Sequence, residues 1–278
     1  IVVFNPASPN ANAGPSQQVC VANATLAANA PIAPATGLWT VVSGSGTFTN
    51  ASSPTSAVTG LAIGANVFQW ALRNGPCAND LTTSQVTITR FDGSAPAAAA
   101  GPDQDLCTAV ASTFASTTLA ANTATPPGTG TWSVVSGSAT IAVPASPTTA
   151  VSNIPVGVTT LRWTINNGPC VPNTTTDDVV IRVFDRSAPV AKAGPPQRFC
   201  APAGTITLAA NAPIAPASGT WAVVSGAGNF ANANSSTTTV TGAALGINVY
   251  RWSIDNGPCP GATTSSTVTI TLFDPAIV

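Results

Sequence analysis

The chain has 278 residues with no histidine, glutamate or methionine; its ionic groups are nine aspartates, seven arginines and one lysine, for a formal charge of −1. Charged residues make up 6%, against about 25% in ordinary soluble domains, which leaves no basic face for nucleic acid or anionic lipid and no imidazole for acid–base work near neutral pH. No run approaches the ~20 apolar residues of a membrane span, and the excess of Ala, Thr, Ser, Asn, Gly and Pro describes a surface wetted by hydroxyls and amides, suited to an extracellular structural protein.

The opening residues IVVFNPASPN carry neither a basic region nor a cleavage pattern, and with no initiator Met they read as the start of a mature or excised segment. IVVFNPASPNANAGP (1–15) aligns with ITRFDGSAPAAAAGP (88–102), placing Phe4 with Phe91, Pro9 with Pro96 and Gly14 with Gly101. Residues 1–13 are therefore expected to be the last strand of a preceding repeat, or a docking strand, plus a linker. The preferred reading is a window from a longer array, because every following repeat owns a final strand and leaves no vacancy for a donor strand. The alternative is a cleaved subunit that docks onto its neighbour through Ile1, Val2, Val3 and Phe4.

Three repeats follow, at 14–98, 99–191 and 192–278. Each opens with AGP (13–15, 100–102, 193–195) and a cysteine, Cys20, Cys107 or Cys200, then TLAAN (25–29, 118–122, 207–211). Next come GLWTVVSG (37–44), GTWSVVSG (130–137) and GTWAVVSG (219–226), then VFQWAL (67–72), TLRWTI (160–165) and VYRWSI (249–254). An NGPC turn ends in Cys77, Cys170 or Cys259 and precedes the final strands QVTITRFD (85–92), VVIRVFD (179–185) and TVTITLFD (267–274).

Within each repeat the hydrophobic period is two. Phe68, Trp70 and Leu72 share one face, as do Leu161, Trp163 and Ile165, and Tyr250, Trp252 and Ile254. The first Trp segments pair Trp39 with Val41, Trp132 with Val134 and Trp221 with Val223 on the inward side. Short strands broken by turn signals about every ten residues predict an all-β protein of three tandem Ig-like antiparallel sandwiches in an elongated rod, with almost no helix and all six Trp in the cores.

Six cysteines at matching positions point to an oxidised, exported protein. The economical pairing keeps each bridge inside its repeat: Cys20–Cys77, Cys107–Cys170 and Cys200–Cys259. The bridge should sit near one end of the sandwich, tying the opening segment to the turn before the last strand. Metal binding is the competing use of thiols, but there is no His and no close C-x-x-C pair.

The pattern AGPxQxxC, TLAANAP, GTWSVVSG, FxWxIxNGPC, VTITxFD covers essentially the whole chain. It resembles the Ig-like, PKD-like tandem repeats of very large secreted surface proteins of Bacteroidetes-type bacteria, including gliding-motility adhesins and proteins exported by the type IX system. That resemblance implies display at the cell surface, adhesion and long fibrous arrays.

The linkers FDGSAPAAAAGPDQ (91–104) and FDRSAPVAKAGPPQ (184–197) are proline-rich and are expected to be semi-rigid spacers. Phe91 and Phe184 point away from the inward set, either to pack at the junction between repeats or to lie as ordinary sheet-face residues. No cofactor or metal is expected. Asp177 and Asp178 are adjacent on a strand and face opposite ways, so they form no catalytic dyad. Asp92, Asp103, Asp105, Asp185 and Asp274 gather near the junctions, but Asn5 and Arg186 spoil a calcium set that needs six to eight oxygens. Asn23, Asn50, Asn173 and Asn234 begin Asn-x-Ser/Thr triplets, candidates for glycosylation.

The functional expectation is a non-catalytic structural or adhesive segment of an extracellular fibre or cell-surface stalk. Its partners would be neighbouring repeats of the same chain, identical subunits, or a surface glycan or host ligand, without nucleic acid or membrane insertion. The alternative is a glycan- or protein-binding accessory module of a larger secreted protein.

Overall fold

The computed structural model describes residues 1–5, 9–76 and 80–276. Among them there are twenty-one strands and no helix. Repeat 1 holds β1 (Gln17–Val19), β2 (Asn23–Thr25), β3 (Thr36–Ser43), β4 (Thr47–Phe48), β5 (Ala57–Thr59), β6 (Gly64–Arg73) and β7 (Leu81–Arg90). Repeat 2 holds β8 (Gln104–Cys107), β9 (Phe114–Thr118), β10 (Thr129–Ser136), β11 (Thr140–Ile141), β12 (Ala150–Pro155), β13 (Gly157–Asn166) and β14 (Thr174–Phe184). Repeat 3 holds β15 (Gln197–Cys200), β16 (Ile206–Ala209), β17 (Ser218–Ser225), β18 (Asn229–Phe230), β19 (Thr237–Thr241), β20 (Gly246–Asp255) and β21 (Thr263–Phe273).

Each repeat is a sandwich of a four-stranded and a three-stranded sheet, ordered β1-β7-β6-β3 and β2-β5-β4 in repeat 1. The long hairpin β6–β7 is the spine of the larger sheet, running from Gly64↔Arg90 to Arg73↔Leu81. The aromatics Phe68 and Trp70 of β6 and the threonines of β7 suit a pleated, half-buried surface. Alternation along β6 buries Phe68, Trp70 and Leu72 and turns their neighbours outward. Repeats 2 and 3 keep the same order with β8-β14-β13-β10 and β15-β21-β20-β17.

One feature departs from a purely antiparallel sandwich. The opening strand of every repeat lies parallel to its last strand: β1 on β7, β8 on β14 and β15 on β21. The AGP turn makes this entry. Gly101 adopts φ +86°, where a Cβ would stand 2.7 Å from the Ala120 carbonyl oxygen, so only glycine fits the close approach.

Each core is built on a cross-strand indole pair. Trp39 faces Trp70, Trp132 faces Trp163, and Trp221 faces Trp252, with centroids 5.0, 5.2 and 5.2 Å apart. All six are at most 3% exposed, so the predicted core aromatics are interior. Gly37, Gly130 and Gly219 lie against the second indole of each pair, where any Cβ would overlap the ring.

The valines expected beside the first Trp are not interior. Val41, Val134 and Val223 are 43, 40 and 41% exposed. A register shift follows each of them, between Val41 and Ser43 in repeat 1, and the strand lies at the sheet edge. Each valine still stands opposite an inward residue, Phe68, Leu161 or Tyr250, and is exposed at the end of an edge strand.

Candidate functional site

Among the described residues no group of three or more Asp or Cys is placed to hold a metal ion. The junction aspartates have other partners. Asp103 and Asp105 pair with Arg182 at 3.4 and 3.2 Å, while Asp92, Asp185 and Asp274 accept from the backbone two residues on. Asp178 forms a bidentate pair with Arg162 at 2.7 and 2.9 Å. That hydrogen bond holds its carboxyl below the usual range and raises the guanidinium. Asp177 instead accepts from the Ala100 amide at 2.7 Å. The two neighbouring carboxylates serve separate partners and make no dyad.

The built features of this chain lie at the junctions between repeats. Because β1 is parallel to β7, Cys20 arrives beside the end of β7, where the Phe91 amide donates to the Val19 carbonyl at 2.8 Å. Phe91 then leaves repeat 1 and seats its ring on the NGPC turn of repeat 2. Gly168 adopts φ +59° there, and a Cβ would stand 2.6 Å from the ring. Asn167, 8% exposed, donates its Nδ2 to the Asp92 carbonyl at 2.7 Å. Phe91 is 7% exposed, which resolves its two sequence readings in favour of junction packing.

Repeats 2 and 3 join identically. Phe184 is paired with Cys107 at the end of β14 and packs on Gly257 with the same 2.6 Å limit. Asn256 donates to the Asp185 carbonyl at 2.8 Å. Phe184 belongs to the buried core of repeat 3, with Cys107 packed against it. Residues of one sandwich thus complete the interior of the next.

The disulfides cross these junctions. Cys20 bonds Cys170 and Cys107 bonds Cys259, with Cα atoms 5.2 and 5.1 Å apart. The expected pairs Cys20–Cys77, Cys107–Cys170 and Cys200–Cys259 are corrected: each bridge joins the opening of one repeat to the NGPC turn of the following one. The reason is geometric. The parallel opening strand carries its cysteine to the far end of the last strand, next to the exit phenylalanine, and that end abuts the following NGPC turn. Cys200 is a free, exposed thiol, and Cys77 lies outside the described residues. The bridges close sequence separations of 150 and 152 residues, each taken alone worth about 5 kcal/mol in the chain-entropy model.

The linkers are also held. Asn122, last residue of TLAAN, receives the Ala99 amide on Oδ1 at 2.8 Å and donates Nδ2 to the Ala97 carbonyl at 2.8 Å. Its own amide donates to the Ala99 carbonyl at 2.9 Å. Asn211 repeats the clasp on Val190 and Lys192, and Asn29 on Asn10 and Asn12. A hydroxyl of the last strand adds a contact in every repeat: Thr82 to the Ala11 amide, Thr175 to Ala98, Thr264 to Ala191. Linkers read from prolines as semi-rigid are pinned by asparagine and threonine, residues that sequence reasoning passed over although their recurrence in TLAAN was visible.

The N-terminal residues meet repeat 1 in the same way. Phe4 covers Gly75, where a Cβ would stand 2.6 Å from the ring, and Asn74 donates to the Asn5 carbonyl at 2.9 Å. Residues 1–5 form no strand; Ile1, Val2 and Val3 are exposed, while Phe4 is half-buried. The four candidate glycosylation asparagines are all exposed.

No protein-family model matches the chain, and no curated protein matches it. Among solved structures, Dpr2 Ig1-Ig2 in complex with DIP-Theta Ig1-Ig3 aligns over 95% of this chain and 100% of its own, at 12% identity and a TM-score of 0.53. The I-band fragment I67-I69 from titin aligns over 96 and 99% at 10% identity, with a TM-score of 0.45. The PKD domain from KIAA 1837 protein covers 32% of this chain and 89% of its own at 26% identity, with a TM-score of 0.27. No helix is long and apolar enough to cross a membrane among the described residues. The sheet order and the alignment along the whole chain make this an all-β protein of three tandem Ig-like sandwiches.

Proposed function

We propose that the chain is a non-catalytic structural or adhesive segment of an extracellular fibre or cell-surface stalk. The observation that carries this reading is the pair of bridges across the junctions. A disulfide inside a domain stabilises that domain alone, whereas one between domains removes the freedom of two bodies to swing about their linker. Together with the seated phenylalanines and the clasped linkers, it converts a string of sandwiches into a stiff rod. Persistent disulfides belong to oxidising compartments, which supports an extracellular setting, and the motif resemblance supports a bacterial surface. The partners under this reading are repeats of the same kind and whatever surface the fibre contacts.

The experiment is immunogold electron microscopy of the native cells with antibody to repeat 2. Labelled thin filaments or stalks are expected. Label on dispersed particles alone would overturn the reading.

A further inference from the structure

Repeat 2 departs from its neighbours at one corner of the sandwich. Leu119 follows Cys107 by twelve residues, whereas Leu26 follows Cys20 by six and Leu208 follows Cys200 by eight. The added chain makes the loop between β8 and β9 and leads into Phe114, which is 50% exposed. In a molecule that buries all six Trp and its one Tyr, this ring is left to solvent. The other two sandwiches close without such a loop, and loops carried on a rigid scaffold are where binding residues gather.

A second change stands beside the first. Val151-Ser152-Asn153 matches Val58-Thr59-Gly60 and Val240-Thr241-Gly242, whose glycines adopt φ +72° and +70°. Repeat 2 holds Asn153 in the same left-handed region, at φ +56°. Ala111, in the added loop, has φ +59°, and among the described residues these two are the non-glycine residues with positive φ. Backbone of this kind costs stability and collects at binding sites. Asn153 keeps the glycine's conformation and adds an amide.

The loop and the amide border one groove of about 380 Å³, whose lining includes Leu106, Ala109, Phe114, Ser116, Ser152 and Asn153. That volume suits a small organic ligand. No charged side chain lines it, so it supplies no counter-ion for a phosphate or a metal. It supplies one aromatic ring and several uncharged polar groups. Asn153 donates its Nδ2 to the Thr140 Oγ1 at 3.1 Å, which orients its Oδ1 as an acceptor. The Ser116 and Ser152 hydroxyls have no protein partner among the described residues. A neutral sugar has the matching chemistry: an apolar C–H face for the ring and a rim of hydroxyls for the polar groups.

We propose that this groove on repeat 2 binds a neutral, hexose-based oligosaccharide. One sugar lays its C–H face on Phe114, donates a hydroxyl hydrogen to Asn153 Oδ1 and exchanges hydrogen bonds with Ser116 and Ser152. The constrained backbone fixes the amide before the ligand arrives, which lowers the ordering cost of binding. The inference rests on the adhesive side of the fibre reading and gives it a contact point and a ligand class.

The test is saturation-transfer NMR on the unreduced 278-residue chain with neutral tetrasaccharides of glucose, galactose, mannose and N-acetylglucosamine in turn, followed by calorimetric titration. Transfer to the ring C–H protons of at least one of the four is expected. Phe114→Ala should weaken that binding about tenfold through loss of the stacking face. Asn153→Gly restores the residue type of repeats 1 and 3 and should weaken binding about fivefold, for one lost hydrogen bond, with the urea midpoint unchanged. If Phe114→Ala disturbs folding, Phe114→Leu keeps an apolar side chain, removes the aromatic face and should show the same loss. No transfer to any of the four sugars, or equal affinity in the parent and both Phe114 variants, would overturn the proposal. Absent sugar binding with immunogold-labelled filaments retires this site alone. Sugar binding with label on dispersed particles supports the site and removes the fibre.

Discussion

Removing one phenylalanine measures how strongly two sandwiches are coupled. Phe184 and Phe273 end equivalent strands, but Phe184 has a following repeat on top of it. Their exposures are 7 and 49%, so the neighbour covers a further 42% of the residue. On a side chain that buries roughly 200 Å², this is about 80 Å², or about 2 kcal/mol at ~25 cal/mol per Å². Phe184→Ala should therefore cost about 2 kcal/mol more than Phe273→Ala. The assay is urea unfolding of the bridged chain, followed by tryptophan fluorescence and by absorbance of the sole tyrosine, Tyr250, which reports repeat 3. The Phe184 variant should also separate the two signals, with repeat 3 melting ahead of the rest. Equal losses from the two substitutions would refute junction packing as a source of stability.

Other outcomes follow from single residues. Asn211→Ala removes two hydrogen bonds that clasp Val190 and Lys192, and each is worth about 1 kcal/mol, so tryptic cleavage after Lys192 should accelerate about tenfold or more. On a non-reducing gel the nicked halves should stay together through Cys107–Cys259. Asn66 is fully buried and satisfies the Ser45 and Ala62 amides and the Ala62 carbonyl. Asn66→Ala should cost about 3 kcal/mol in urea unfolding, since buried groups left without partners cost about 1–3 kcal/mol each. Tyr250 is fully buried with its hydroxyl donating to the Ala227 carbonyl at 2.7 Å, and burial raises its pKa. A raised folded pKa means stability present below the unfolded value of about 10 and lost as pH rises through the folded one. Alkaline titration should show the phenol ionising together with the melting of repeat 3, not before it.

Much of the fold was legible because it depends on local pattern. Period-two alternation located the long strands, and the aromatic spacing put all six Trp in the cores. The place of the disulfide was not legible. The two cysteines of a repeat stand at opposite ends of the sandwich, Cys107 beside Phe184 at the end of β14 and Cys170 in the turn before β14 begins, so the expected staple at one end of each repeat does not form. In a tandem array, pairing inside a repeat and pairing with the next one produce the same cysteine pattern, so spacing alone cannot choose between them. The deciding residues were Phe91 and Phe184, which face away from their own cores just before the linker. The exposure of Val41, Val134 and Val223 was hidden for a different reason. They keep the inward register, opposite Phe68, Leu161 and Tyr250, and are exposed because their strand is the edge of the sheet, a position that nothing in VVSG marks. The asparagines that clasp the linkers looked like turn residues because their partners lie 17 to 25 positions away.

The most direct measurement is a disulfide map of the unreduced chain. Trypsin, cutting after the seven arginines and Lys192, places each of the six cysteines on its own peptide, so every linkage has a distinct mass. Cys20 joined to Cys170 and Cys107 joined to Cys259 is the predicted result, while Cys107 joined to Cys170 and Cys200 joined to Cys259 would contradict it.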